Sequence, residues 1–148
     1  MIKKIRSSKV FRWAIVSLYA GLIFLGSSMS LQIEETSFFF LSYLDHLDKC
    51  VHFIEYGVFC TLLCWAISAH LKGNQIRKFI FIAISLTSLY GITDEVHQLF
   101  VPTRTATVFD WFADTLGAII AGLCWLKFFP GRKARKFTGN RQQATHDL

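Results

Sequence analysis

Four long apolar stretches leave this chain little else to fold with. They cover about residues 11–31 ("FRWAIVSLYAGLIFLGSSMSL"), 50–71 ("CVHFIEYGVFCTLLCWAISAHL"), 79–100 and 109–129 ("FDWFADTLGAIIAGLCWLKFF"). A bilayer core is roughly 30 Å thick, and about 20 mostly apolar residues cross it as a helix. In lipid each backbone N–H and C=O must find its partner within the protein, which an α-helix does locally. The expected fold is therefore all-α, a single membrane domain over residues 1–148 built as a four-helix transmembrane bundle. Residues 130–148 form a basic cytoplasmic tail. Charged residues make up 18% of the chain, below the roughly 25% usual in soluble domains.

The basic residues orient the bundle. Lys3, Lys4, Arg6, Lys9 and Arg12 precede or open the first span, and Lys72, Arg77 and Lys78 join the second to the third. Lys127, Arg132, Lys133, Arg135, Lys136 and Arg141 close or follow the fourth. All of these share one side if both termini are cytoplasmic; of sixteen Lys and Arg, only Lys49 and Arg104 do not. Of ten acids, only Asp147 lies with the basic majority. The positive-inside rule gives N-in and C-in. The net charge of +6 thus belongs to a membrane surface and implies no nucleic-acid partner. The first span also has the outline of a signal peptide, a basic start and an apolar core before "GSSMS", but its apolar run is long for one. An uncleaved anchor is expected. The four cysteines (Cys50, Cys60, Cys64, Cys124) lie in or beside apolar runs, which is no secreted disulfide framework.

Against this background one segment stands out: "DEVHQLFVPTRTATVFDWFAD", Asp94 to Asp114. With the orientation above, its charges fall at the outer end of the bundle. So do Asp45, His46, Asp48, Lys49, His52 and Glu55 at the entrance to the second span. Asp48, His52 and Glu55 stand at i, i+4 and i+7, one face of a helix; Asp94 shares a face with His97 and Gln98, and Asp110 with Asp114 and Gly117. Glu55 lies roughly 10 Å deeper than Asp48 at 1.5 Å per residue. An acid at a helix centre costs about 2.5–3.5 kcal/mol on insertion scales. Several are tolerable only if they face each other, a cation or a wet cavity. A shared polar pocket is expected, with Asp45, His46 and Glu95 at its interfacial margin.

Clustered Asp, Glu and His can hold a divalent cation or supply a general acid and base. Arg104 can grip a phosphate or carboxylate bidentately or neutralise buried acids; both remain open. No HExxH, GxSxG or phosphate-cradling glycine loop occurs. Cys60 and Cys64 share a face but read as buried filler. Ala113, Gly117 and Ala121, with Ala118 and Gly122, form small-xxx-small patterns that permit close helix packing, internally or in an oligomer. Phe38–Phe40 and Tyr43 suggest a segment at the outer interface, where lipid approaches.

The stretches "DKCVHFIEYGVF", "DEVHQLFVPTRTATVFDWFAD" and "TLGAIIAG" resemble the VanZ-like family of small integral membrane proteins, over about Asp45 to Phe129. The positions that carry the likeness are Asp48, Lys49, His52 and Tyr56, then Asp94, Glu95, Gln98, Arg104, Asp110 and Gly117. Where the family often carries Asn, this chain has Asp114, which adds a charge. The family is named for a factor that raises resistance to the lipoglycopeptide teicoplanin. The resemblance implies a multi-pass protein of the bacterial cytoplasmic membrane, acting at its outer face near cell-wall precursors.

Three functions remain. The leading one is an outward pocket of Asp48, Lys49, His52, Glu55, Tyr56, Asp94, Glu95, Gln98, Arg104, Asp110 and Asp114. It would recognise a membrane lipid, a lipid-linked cell-wall precursor or a lipoglycopeptide. Lys49 and Arg104 meet anionic groups, and Glu55, Asp94, Asp110 and Asp114 place a divalent cation or orient the ligand. The second is a membrane-embedded enzyme using the same acids for metal-assisted or acid–base transfer or hydrolysis. The third is a structural or partner subunit whose charges pair internally, Asp94 with Arg104 for example. A transporter fits poorly, because the cytoplasmic half of the spans has almost no polar pathway.

Overall fold

A computed structural model describes residues 8–29, 38–70 (with side chains from Leu47), 75–102, 104 and 106–129. Among these the chain is four α-helices with no strand: α1 (Lys9–Ser27), α2 (Phe38–Ser68), α3 (Ile76–Gln98) and α4 (Val108–Phe128). Each is long and apolar enough to cross a membrane. Pro102 lies outside the helices, in the turn after α3, as a residue that breaks the N–H···O=C ladder should. The expectations for the Asp45 and His46 side chains, for Phe38–Phe40 and Tyr43 as side chains, for Lys72 and for the tail 130–148 fall outside the described residues.

The helix ends differ from the expected spans. α1 stops at Ser27, and α2 begins at Phe38, well ahead of the expected start at 50. No Gly or Pro occurs between Phe38 and Lys49, so nothing local ends the helix there. At 1.5 Å per residue α2 is about 46 Å long, longer than the roughly 30 Å hydrocarbon core. Its part with described side chains, Leu47–Ser68, is long and apolar enough to cross a membrane.

α2 is the central helix. It supplies Tyr56, Phe59, Cys60, Leu63, Cys64, Ala66 and Ile67 to the core, where Ile80 and Ala83 of α3, Ala118 of α4, and Val16 and Ile23 of α1 meet them. α4 packs most extensively on α2 and next on α3, while α1 lies against α2 with a small contact on α3. The remaining faces carry Phe81, Leu89, Phe109, Phe112, Leu123 and Phe128, all well exposed. On a soluble protein that much contiguous apolar surface would drive association; on a spanning bundle it is the face for lipid.

Close approach of α2 and α4 depends on Gly117. A β-carbon there would lie 2.2 Å from the Phe53 carbonyl oxygen and 3.3 Å from the Gly57 nitrogen. Both are backbone atoms of α2, so no side-chain rotation could make room. At one end of the bundle α1 is tied to α2 by Arg12, which donates to the Trp65 carbonyl (2.7 Å) and the Ser68 hydroxyl (3.1 Å) with its guanidinium 4.9 Å over the Trp65 ring. The other end holds the polar residues.

Candidate functional site

Three helices deliver buried polar side chains to the same end of the bundle. His52 comes from α2, Asp94 and Gln98 from α3, and Asp110 and Asp114 from α4; none is more than 5% exposed. The helical periods that put each set on one face also turn those faces inward.

The contact across α2 and α4 is a hydrogen bond between His52 Nδ1 and Asp114 Oδ1, 3.0 Å. Asp114 is fully buried and fits because α3 has no side chain opposite it. A β-carbon on Gly91 would lie 2.8 Å from Asp114 Oδ2 and 3.3 Å from its Cβ. Tyr56, one turn below His52 and fully buried, stacks nearly parallel to the imidazole at 6.1 Å between ring centroids. On α3, Gln98 donates to Asp94 Oδ2 at 3.2 Å.

The start of α4 is built around Thr107. Its hydroxyl donates to Asp110 Oδ2 (2.6 Å) and accepts from the Asp110 N–H (3.3 Å), while its own N–H donates to Glu95 Oε2 (2.9 Å). The pattern Thr-x-x-Asp before an apolar run is a helix-capping signature. Thr107 was therefore legible in the sequence as part of the site, and sequence reasoning passed over it. Here the cap has a second use: it fixes one oxygen of Glu95. Glu95, expected at the interfacial margin, is half-buried and engaged with this cap.

The cations are distributed unevenly. Lys49 Nζ lies 3.6 Å from the buried Asp110 Oδ1. Arg104 pairs with Asp48 at 3.5 Å, not with Asp94, and also donates toward the carbonyls of Met29 (3.3 Å) and Gly26 (3.4 Å) beyond and at the end of α1. The Asp48–Arg104 pair is partly exposed, a setting in which ion pairs contribute about 0–1 kcal/mol. Arg104 therefore acts as a strap from the α3–α4 connection to α1 and α2. Glu55 is half-buried, and its carboxylate forms no hydrogen bond or ion pair among the described residues; only its backbone carbonyl is engaged, by Tyr19 (3.3 Å). His97 is drawn to α1, 2.9 Å from the Ser28 hydroxyl with its ring 4.3 Å from that of Phe24. Trp111 donates to Ser88 Oγ (3.1 Å) between α3 and α4.

Several polar atoms remain without a hydrogen-bond partner although buried: Asp114 Oδ2, Glu95 Oε1, Asp110 Oδ1 and the Tyr56 hydroxyl. Asp94, Glu95, Asp110 and Asp114 share this region with Lys49 and His52. Like charges 4 Å apart repel by about 4 kcal/mol at an effective dielectric near 20. That is several times what one neutral hydrogen bond returns, about 1 kcal/mol. Buried acceptors of this kind can receive a proton donor or a cation.

Beside the cluster runs an apolar groove between α3 and α4, about 330 Å³, lined by Ile92, Val96, Leu99, Ala106, Val108 and Trp111. Its polar lining residues are Glu95 and Thr107, members of the cluster itself. The groove was not foreseen, because it depends on the angle at which two helices diverge.

A family model described as VanZ/LLP1 matches residues 5–129. No curated protein matches the chain significantly, and no solved structure does.

Proposed function

The chain belongs to the VanZ/LLP1 family, and from that premise we propose that it binds an amphiphilic envelope ligand at the polar end of its bundle. The ligand is a lipid-linked cell-wall precursor or a lipoglycopeptide. The observation that carries this reading is the shared boundary of groove and cluster: an apolar slot open to the side, ending on Glu95 and Thr107. A hydrocarbon chain suits the slot, and its headgroup then lies over Lys49, Arg104 and the carboxylates. Ligand sites of this kind combine mostly apolar walls with a few placed polar groups. The bias of Lys and Arg toward the other end supports a site on the outer face of a bacterial cytoplasmic membrane, with both termini inside. This reading includes a role in the response to teicoplanin, for which the family resemblance is the support.

The test is native mass spectrometry of the purified chain with polyprenyl phosphate, against the polyprenol of equal length. Retention of the phosphate over the alcohol, lost in Arg104→Gln and in the groove-filling Ala106→Trp, is the expected result. Equal retention of both, or no effect of Ala106→Trp, overturns the reading.

A second reading has one specific observation behind it. A buried histidine oriented by a carboxylate, as His52 is by Asp114, is the arrangement of a general base held in one tautomer. An enzyme acting on the same ligand would lose turnover in His52→Gln while retaining the polyprenyl phosphate adduct.

A further inference from the structure

We propose that His52, Glu95 and Asp114 form a binding site for one divalent cation of the Mn²⁺ or Zn²⁺ class, assembled from α2, α3 and α4. Each offers a ligand atom, and these atoms all lie within 4.8 Å of one another. Ligation at about 2.1 Å asks them to draw slightly closer, a rotamer-scale movement for Glu95, the least buried of the three.

Proximity alone would not carry this. The further observation is how the two carboxylates are used. Asp114 spends Oδ1 on His52 and keeps Oδ2 without a donor, although the residue is fully buried. Glu95 spends Oε2 on the Thr107 N–H and keeps Oε1 buried and without a donor. In Glu95, one oxygen fixed by a backbone N–H and one left open is the pattern of a metal-ligating carboxylate supported by an outer hydrogen bond. The His52–Asp114 contact joins two of the ligands, and a bound ion would bridge them in place of their shared proton. A buried acceptor without a partner is otherwise costly and uncommon. These two open oxygens, on α3 and α4, together with the His52 imidazole of α2 are met by a single cation.

The donor set selects the class. One imidazole and two carboxylates suit Mn²⁺, Fe²⁺ or Zn²⁺ better than Ca²⁺ or Mg²⁺, which favour all-oxygen sites. Three protein ligands leave coordination positions for water or another oxygen ligand. Glu95 also lines the lateral groove, which gives the ion a way in. The site stands on the chain's own side chains and does not depend on the identity of any envelope ligand.

The test uses the full chain in mild detergent, stripped with EDTA and titrated with Mn²⁺ in the absence of added lipid. Electron paramagnetic resonance counts bound ions, and electron spin echo modulation reports a nitrogen ligand. One Mn²⁺ per chain is expected, with ¹⁴N modulation and displacement by Zn²⁺. Glu95→Gln and Asp114→Asn should weaken binding at least about tenfold, and His52→Ala should remove the ¹⁴N signal; Thr61→Ala, on an exposed face of α2, should change neither. The unaltered chain decides the matter if a variant fails to fold. No stoichiometric Mn²⁺ or Zn²⁺, or bound Mn²⁺ without ¹⁴N modulation, overturns the proposal, and leaves retention of polyprenyl phosphate to be judged on its own.

Discussion

Asp114 sits in a notch that Gly91 leaves open on α3: a β-carbon at Gly91 would come within 2.8 Å of Asp114 Oδ2. The glycine is not needed for its backbone angles, since it lies within a regular helix. It is needed for the volume that its neighbour's carboxylate fills. Gly91→Ala should push Asp114 away from His52 and lower stability by about 1–3 kcal/mol, the usual cost of breaking a buried hydrogen bond. Thermal unfolding in detergent measures this. Asp114→Ala should remove most of the added cost of Gly91→Ala, because the two changes act on one contact.

Gly117 faces backbone where Gly91 faces a side chain, so its substitution should be worse. With the Phe53 oxygen 2.2 Å from the added methyl, Gly117→Ala must separate α2 from α4, at a cost of about 3 kcal/mol or more by overpacking. Gly122→Ala meets the tip of Ile84 and should cost less. Gly21→Ala meets nothing within 4 Å and should be neutral or stabilising by up to about 1 kcal/mol from helix propensity. The order of unfolding temperatures, Gly21→Ala above Gly122→Ala above Gly117→Ala, checks the α2–α4 contact.

Thr107→Val keeps the backbone N–H that holds Glu95 and removes the hydroxyl that caps α4 and donates to Asp110. A loss of about 1 kcal/mol is expected, with faster amide exchange confined to the first turn of α4. Thr107→Ser should restore both.

The two ion pairs should behave differently. Lys49→Gln removes the positive charge 3.6 Å from buried Asp110 Oδ1 and should destabilise by about 3 kcal/mol or more, since a buried charge loses its compensation. Pairing it with Asp110→Asn should recover part of that. Asp48→Asn, which leaves the Arg104 bonds to α1 in place, should change stability by less than about 1 kcal/mol, because that pair is partly exposed. A double-mutant cycle on each pair measures both.

Orientation is open to direct measurement. With both termini inside, green fluorescent protein fused at the C-terminus should fluoresce, and alkaline phosphatase fused there should be inactive. An active phosphatase would invert the bundle and place the polar end in the cytoplasm.

Hydrophobic length is a local property, so the four helices were legible in the sequence; the largest departure is the start of α2 at Phe38, where no Gly or Pro marks an end. Helical period is local too, and it put His52 and Tyr56, Asp94 and Gln98, and Asp110 and Asp114 on single faces. The high cost of an unpaired charge in lipid argued that those faces meet. Even the Thr107 cap was written in the residue order.

Pairing was decided by the tertiary structure. His52 binds Asp114, Arg104 binds Asp48 rather than Asp94, and the Glu55 carboxylate, on the same helical face as Asp48, stays outside the hydrogen-bonded network. These choices depend on how closely two helices approach and how each is turned about its axis. For the His52–Asp114 contact, the absence of a β-carbon at Gly117 lets α4 approach α2, and its absence at Gly91 leaves room for the Asp114 carboxylate. Periodicity along one helix fixes which residues face inward; only the packing of all four fixes what each of them faces.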